Sequence, residues 1–120
     1  MREIKFRFWD KVVKKMLKAE TISWELNMIG YKEKNLSGIA PLNAVTLMQF
    51  TGLLDKSGVE IWESDILESN DKLRKYKVVY NNNAGAWYLE GLGEAWCDPI
   101  PRWDSFEVNG NIYENGDLIK

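Results

Sequence analysis

At 120 residues with 45% aliphatic and aromatic side chains, the chain is long enough to bury one core and too apolar for wholesale disorder. Sixteen basic and eighteen acidic residues leave a net charge of −2, without the basic excess of a non-specific nucleic-acid binder. Histidine is absent and Cys97 stands alone, which removes histidine-based catalytic triads, internal disulfides and structural zinc sites.

Ile4, Phe6 and Phe8 alternate with Lys5, Arg7 and Trp9, the period-2 pattern of a half-buried strand. Asp10 to Lys14 form a polar connection, and Met16 to Ala19 return as its partner. Ile22, Trp24, Leu26 and Met28 alternate with polar residues and predict a third strand, against competing helix propensity. Gly30 to Ala44 carries Gly30, Gly38 and Pro41 among polar residues and reads as a long loop. Val45 to Leu53, the turn Asp55-Lys56-Ser57-Gly58 and Val59 to Trp62 form a hairpin, with Gly58 placed for a left-handed position. Ile66 and Leu67 open another strand.

Lys75 to Tyr80 alternates again. Asn81-Asn82-Asn83-Ala84-Gly85 is a turn cluster, and Ala86 to Leu89 returns from it. Gly91 to Asp104 is a second long connection. Phe106 to Tyr113 is the last strand, before a terminal turn at Asn115-Gly116-Asp117. Many short strands, Gly-rich turns and little helix predict a single all-β domain over residues 1–120. The expected form is a small SH3-like or related barrel of seven to nine strands with two long loops.

The run LMQFTGLLDKSGVEIWESDIL, Leu47 to Leu67, resembles the signature of the YopX family, roughly LMQ-aromatic-TGL-x-DK-x-G-x-EI-aromatic-EGDI. The opening MREIKFRFWDKVVKKM and the closing GNIYEN, Gly110 to Asn115, are similar to the same family at its two ends, in the same order. The resemblance implies a protein encoded by phages or prophages of Gram-positive bacteria. It implies no activity, because the family has none established. Three positions depart from the pattern: Ser64 replaces a usual Gly, Asn109 a common apolar residue, and Gly116 a frequent Pro. The usual glycine at position 64 points to positive φ or a crowded backbone there.

Glu60, Glu63, Asp65 and Glu68 fall within nine residues. Paired carboxylates serve acid/base work or hard metals. The same residues fit a solvated hairpin edge, with Asp65 accepting backbone N–H bonds in a turn; no second ligand set converges on them, and no catalytic or metal residue is assigned. Gln49 and Thr51 interrupt an apolar strand, where they either read a ligand or satisfy backbone groups at a corner.

Trp9, Trp24, Trp62 and Trp87 fall on expected strands as core or sheet-face residues. Trp96, Arg102 and Trp103 share the Pro-stiffened run AWCDPIPRW. They suit a partner-binding interface, a base-stacking platform, or a lid that packs its own rings. Cys97 has no basic neighbour in sequence and reads as an unreactive filler.

Lys72, Arg74, Lys75 and Lys77 form a local basic patch that offers phosphate contacts. The chain is therefore expected to be a cytoplasmic phage or prophage accessory protein, not an enzyme and without cofactor. It would bind an unknown protein or itself as a homo-oligomer; the alternative is a nucleic-acid-binding module on the basic strand.

Overall fold

The computed structural model describes residues 3–72, 74–92, 97–99 and 105–115. The chain forms two compact units, residues 1–49 and 50–120. Among the described residues it has eleven strands, with a 3-10 turn at Leu42–Ala44.

The first unit is a meander. β1 (Phe6–Asp10) pairs with β2 (Lys15–Ser23), which pairs with β3 (Met28–Glu33), which pairs with β4 (Leu36–Pro41), all antiparallel. The 3-10 turn Leu42–Ala44 then delivers β5 (Val45–Leu54), whose first half pairs with β1. The expected third strand through Met28 breaks at Trp24–Asn27. There the Ser23 hydroxyl accepts a hydrogen bond from Leu26 N at 3.1 Å, and Asn27 takes φ 59. Alternation in sequence ran through a turn that Ser and Asn stabilise locally.

The expected loop over Gly30–Ala44 is instead the β3–β4 hairpin and the 3-10 turn. Its loop-like glycines are sheet positions where a Cβ would press on a neighbouring side chain. A Cβ at Gly38 would lie 2.8 Å from the Tyr31 hydroxyl, and one at Gly30 would collide with the Thr21 hydroxyl. Pro41 ends a strand whose outer side carries no partner among the described residues, where its missing N–H costs little.

The hydrogen-bonded order within this unit is β4-β3-β2-β1-β5, so β4 and β5 lie four strand spacings apart, about 19 Å in a flat sheet. Four residue steps from Pro41 to Val45 reach about 14 Å at most. The sheet must therefore curl. Its concave face encloses Phe8, Leu17, Ile29, Ala40 and Val45, with Tyr31 stacked edge-on against Phe8 at 5.6 Å between centroids.

In the second unit, the later half of β5 pairs with β6 (Glu60–Trp62). β7 (Asp65–Ser69), β8 (Lys75–Asn81), β9 (Ala86–Gly91), β10 (Cys97–Pro99) and β11 (Phe106–Asn111) form an antiparallel sheet in the order β10-β9-β8-β7-β11. Ile61, Leu67, Tyr76, Val78 and Leu89 make its core, with Leu53, Trp87, Phe106 and Val108 packed around them. The expected second long connection contains β10, which continues the ladder beyond β9. Hydrogen bonds thus make two open antiparallel sheets of six and five strands, and none among the described residues closes a barrel. No helix among the described residues is long and apolar enough to cross a membrane.

Candidate functional site

The Leu47–Leu67 signature builds a joint. β5 carries a bulge, with its register slipping between Phe50 and Leu53 and Gly52 at φ 86. Thr51 holds the bulge: its hydroxyl donates to Ile61 O at 2.6 Å and accepts from Leu53 N at 3.1 Å. A buried hydroxyl between two backbone groups is a structural choice rather than a ligand reader. Gln49 is half-buried on β5 opposite Phe6.

Asp55 is the centre of the joint. It is 5% exposed, and one carboxylate oxygen accepts from Ser57 N and Val59 N, both at 2.8 Å, closing the β5–β6 turn. The other accepts from Val108 N on β11 at 2.9 Å, while Lys56 N donates to Phe106 O at 3.1 Å. The turn thus caps the outer edge of β11. Burial pushes the Asp55 carboxyl up, but the N–H groups of Val108, Val59 and Ser57, with the Lys56 charge, outweigh it and hold the carboxyl below its usual range.

The four clustered carboxylates do not act alike. Asp65 is buried and accepts from Trp62 N at 2.7 Å, closing the turn into β7. Glu68 accepts from the Asn109 carboxamide at 3.3 Å. Glu60 and Glu63 are half-buried. Among the described residues no group of three or more His, Cys, Asp or Glu is arranged to hold a metal. Ser64, between Glu63 and Asp65, has φ 72; its N donates to Val78 O at 2.9 Å and its O accepts from Ile112 N at 3.1 Å. The closing GNIYEN caps its own turn, with Asn111 Oδ1 accepting from Tyr113 N and Glu114 N.

Of the tryptophans, Trp62 is buried against Phe50 at 5.4 Å and Trp87 packs edge-on to Tyr80 at 5.0 Å. Trp9 is half-buried on β1. Trp24, expected on a strand face, is 65% exposed in the β2–β3 turn beside Leu26 at 73%, with the Phe6 ring 6.4 Å away. Trp96, Arg102 and Trp103 lie outside the described residues, and Cys97 is in β10.

The basic patch is placed among acids. Lys72 sits in the β7–β8 turn at φ 60 and Arg74 precedes β8. On β8, Lys75 stands opposite Glu68, and Lys77 opposite Glu90, with which it forms an ion pair at 3.9 Å. Sequence reasoning missed two exposed apolar turns, Trp24 with Leu26 and Val12 with Val13. The signal for the second was present: two valines between Lys11 and Lys14 in a connection read as polar.

The family model described as YopX protein matches residues 5–120. The chain belongs to the YopX family. Its structure is similar over the full length of both chains to the crystal structure of protein EF1440 from Enterococcus faecalis, with 28% identity and a TM-score of 0.68. It is also similar, again over both full lengths, to protein yopX from Bacillus subtilis, with 18% identity and a TM-score of 0.61, a likeness of fold. No curated protein matches the chain. In this YopX chain the signature residues are the ones that fasten β5, β6, β7 and β11 to each other.

Proposed function

We propose that this YopX-family chain is a non-catalytic binding module that docks a protein partner, and that it serves as a phage or prophage accessory protein in the cytoplasm. The observation that carries this reading is the β2–β3 turn, where Trp24 and Leu26 stand 65% and 73% exposed on a hydrogen-bonded turn. Tryptophan is rich in contact area and among the commonest anchors of interfaces, and a preformed turn loses little entropy on docking. The use of Thr51, Asp55 and Asp65 as backbone fasteners supports a non-catalytic role. The order of the first unit, a four-strand meander whose 3-10 turn returns β5 to β1, supports kinship with SH3-like small barrels. Trp96, Arg102 and Trp103 remain candidates for a second contact, and self-association through the same turn is the homo-oligomeric form of this reading.

The test compares wild-type chain with the double variant Trp24→Ser, Leu26→Ser as bait in lysate from a bacterial host. Captured proteins are repurified and titrated back onto both forms. At least one partner should lose tenfold or more in affinity for the variant while both forms melt together. Partners that bind both forms equally, with no concentration-dependent mass in light scattering, would refute the reading. The flanking of Lys75 and Lys77 by Glu68 and Glu90 weakens the alternative placement of a nucleic-acid surface on β8.

A further inference from the structure

The β3–β4 hairpin leaves one strand edge open. Lys34-Asn35 is a two-residue turn, and Glu33 and Leu36 on either side of it are the first pair of the ladder. Such a pair exchanges both its N–H···O bonds, and the bonds then alternate along an unbroken register. Leu36, Gly38 and Ala40 therefore bond back to β3, while Ser37, Ile39 and Pro41 turn their backbone groups the other way. β4 ends the hydrogen-bonded order on that side, with no partner among the described residues. Leu36, Ser37, Gly38 and Ile39 are all exposed, Ile39 at 71%.

Open edges are ordinarily guarded by charged side chains, bulges or prolines. Leu36 to Ala40 carries no charge, and its pairing with β3 shows no register shift. Pro41 lacks an N–H, but it stands at the far end. The edge thus presents Ser37 and Ile39, each turning one donor and one acceptor outward.

One occupant matches this edge position by position: β4 of a second copy, antiparallel about a two-fold axis at Gly38. Ser37 then lies opposite the second copy's Ile39, and Ile39 opposite its Ser37. The resulting main-chain bonds use every outward donor and acceptor of both residues. Moving the axis to Ile39 would set Ser37 against Pro41, which has no N–H to give. On the axis, Gly38 faces Gly38 as a non-hydrogen-bonded pair, the closest approach in a ladder, with Cα atoms about 4.5 Å apart. The end of the Tyr31 ring already covers that face, since a Cβ at Gly38 would lie 2.8 Å from its hydroxyl. The position opposite favours a residue without a side chain, and the second copy supplies one. The two Ile39 side chains become diagonal neighbours across the seam, and Leu36 stands opposite the second copy's Ala40. A two-fold contact sets each residue near its own copy, which an uncharged strand tolerates. The same lack of charge leaves nothing by which a different peptide would be selected.

We propose that β4 is a homodimerisation edge, pairing with β4 of a second copy about a two-fold axis at Gly38. Each chain has one such edge, so the contact closes at two copies. A seam this short makes a reversible dimer. It rests on β4 and stands whether or not a protein docks at Trp24.

Light scattering across a dilution series tests it. Wild type should move from 14.0 kDa toward twice that mass as concentration rises. Ile39→Lys brings two ammonium groups to the seam, near Lys32, which pairs with Ser37, and should weaken the dimer by about tenfold or more. Ile39 is exposed, so dilute, monomeric chain should melt as wild type does. Trp24→Ser with Leu26→Ser should leave the dimer intact, which separates this contact from association through that turn. Amide exchange locates the seam without any substitution. The N–H groups of Ser37 and Ile39 should exchange fast in dilute protein and slowly in concentrated protein, while those of Gly38 and Ala40, bonded to β3, stay protected in both. A mass that stays at 14.0 kDa at every concentration overturns the proposal. So does a dimer that survives Ile39→Lys, one that is lost with Trp24→Ser and Leu26→Ser, or one in which Ser37 and Ile39 exchange as fast as in the monomer.

Discussion

Ser64→Gly should make this protein more stable. Ser64 is held at φ 72, in the left-handed region where a Cβ crowds the following carbonyl. It cannot relax out of that region cheaply, because its N–H is fastened to Val78 O and its C=O to Ile112 N. Its hydroxyl makes no hydrogen bond to a described residue, so glycine sacrifices no such contact. The strain removed is of order 1–2 kcal/mol. The extra freedom glycine gives the unfolded chain returns about 0.4–1 kcal/mol of that. The net gain is a few tenths to about 1 kcal/mol, or a rise in melting temperature of about 1–5 °C for a chain of this size. Urea unfolding of wild type, Ser64→Gly and Ser64→Ala at equal m-values measures it. Ser64→Ala keeps the Cβ and should change the midpoint little. A lower midpoint for Ser64→Gly, or a loss in Ser64→Ala of 1 kcal/mol or more, would show that the hydroxyl supports the turn and refute the argument.

Asp55→Asn should cost about 2–4 kcal/mol, since an amide replaces a carboxylate that accepts three backbone N–H bonds, and chemical denaturation reads it directly. Because the Asp55 carboxyl lies below its unfolded value of about 3.9, its contribution is full above that pH and fades as pH falls through and below it. Wild type should therefore lose more stability than Asp55→Asn between pH 5 and pH 2, and parallel acid titrations would contradict this. Thr51→Val leaves Ile61 O and Leu53 N without their hydroxyl partner and should destabilise by about 1–3 kcal/mol, while Thr51→Ser stays near wild type in the same melts. Gly110→Ala should destabilise by more than about 1 kcal/mol, because the residue sits at φ 133 and its new Cβ would run into the Asn115 carboxamide.

The all-β class and the hairpin around Asp55 were legible because their signals are local, period-2 alternation and a turn with Gly58, while the positive φ at position 64 was suggested only by the family's usual glycine there. What escaped was decided at a distance. Gly30 and Gly38 look like loop residues until Thr21 and Tyr31, carried by other strands, fill the space that a Cβ would take. Trp24 and Leu26 obey strand alternation, yet Ser23 and Asn27 turn the chain beneath them, and two polar residues outweigh four apolar ones. Asp55 gave no sign in sequence that its second oxygen would reach Val108, more than fifty residues on. The β10 strand hid in a run whose prolines suggested a loop; Pro99 closes it at the end of the ladder.

Much of the recognisable part of the chain is spent on holding the fold. Thr51, Gly52, Asp55, Ile61, Trp62 and Asp65 make the resemblance to the family, and each is engaged in the β5–β6 bulge, the Asp55 turn or the core. Asp55 commits its carboxylate to three backbone N–H groups, and a carboxyl held below its usual range is a weak base near neutral pH. Substitutions in the signature should accordingly report as stability. Large apolar side chains stand exposed at two turns of the first unit, Trp24 and Leu26 at one and Val12 and Val13 among lysines at the other.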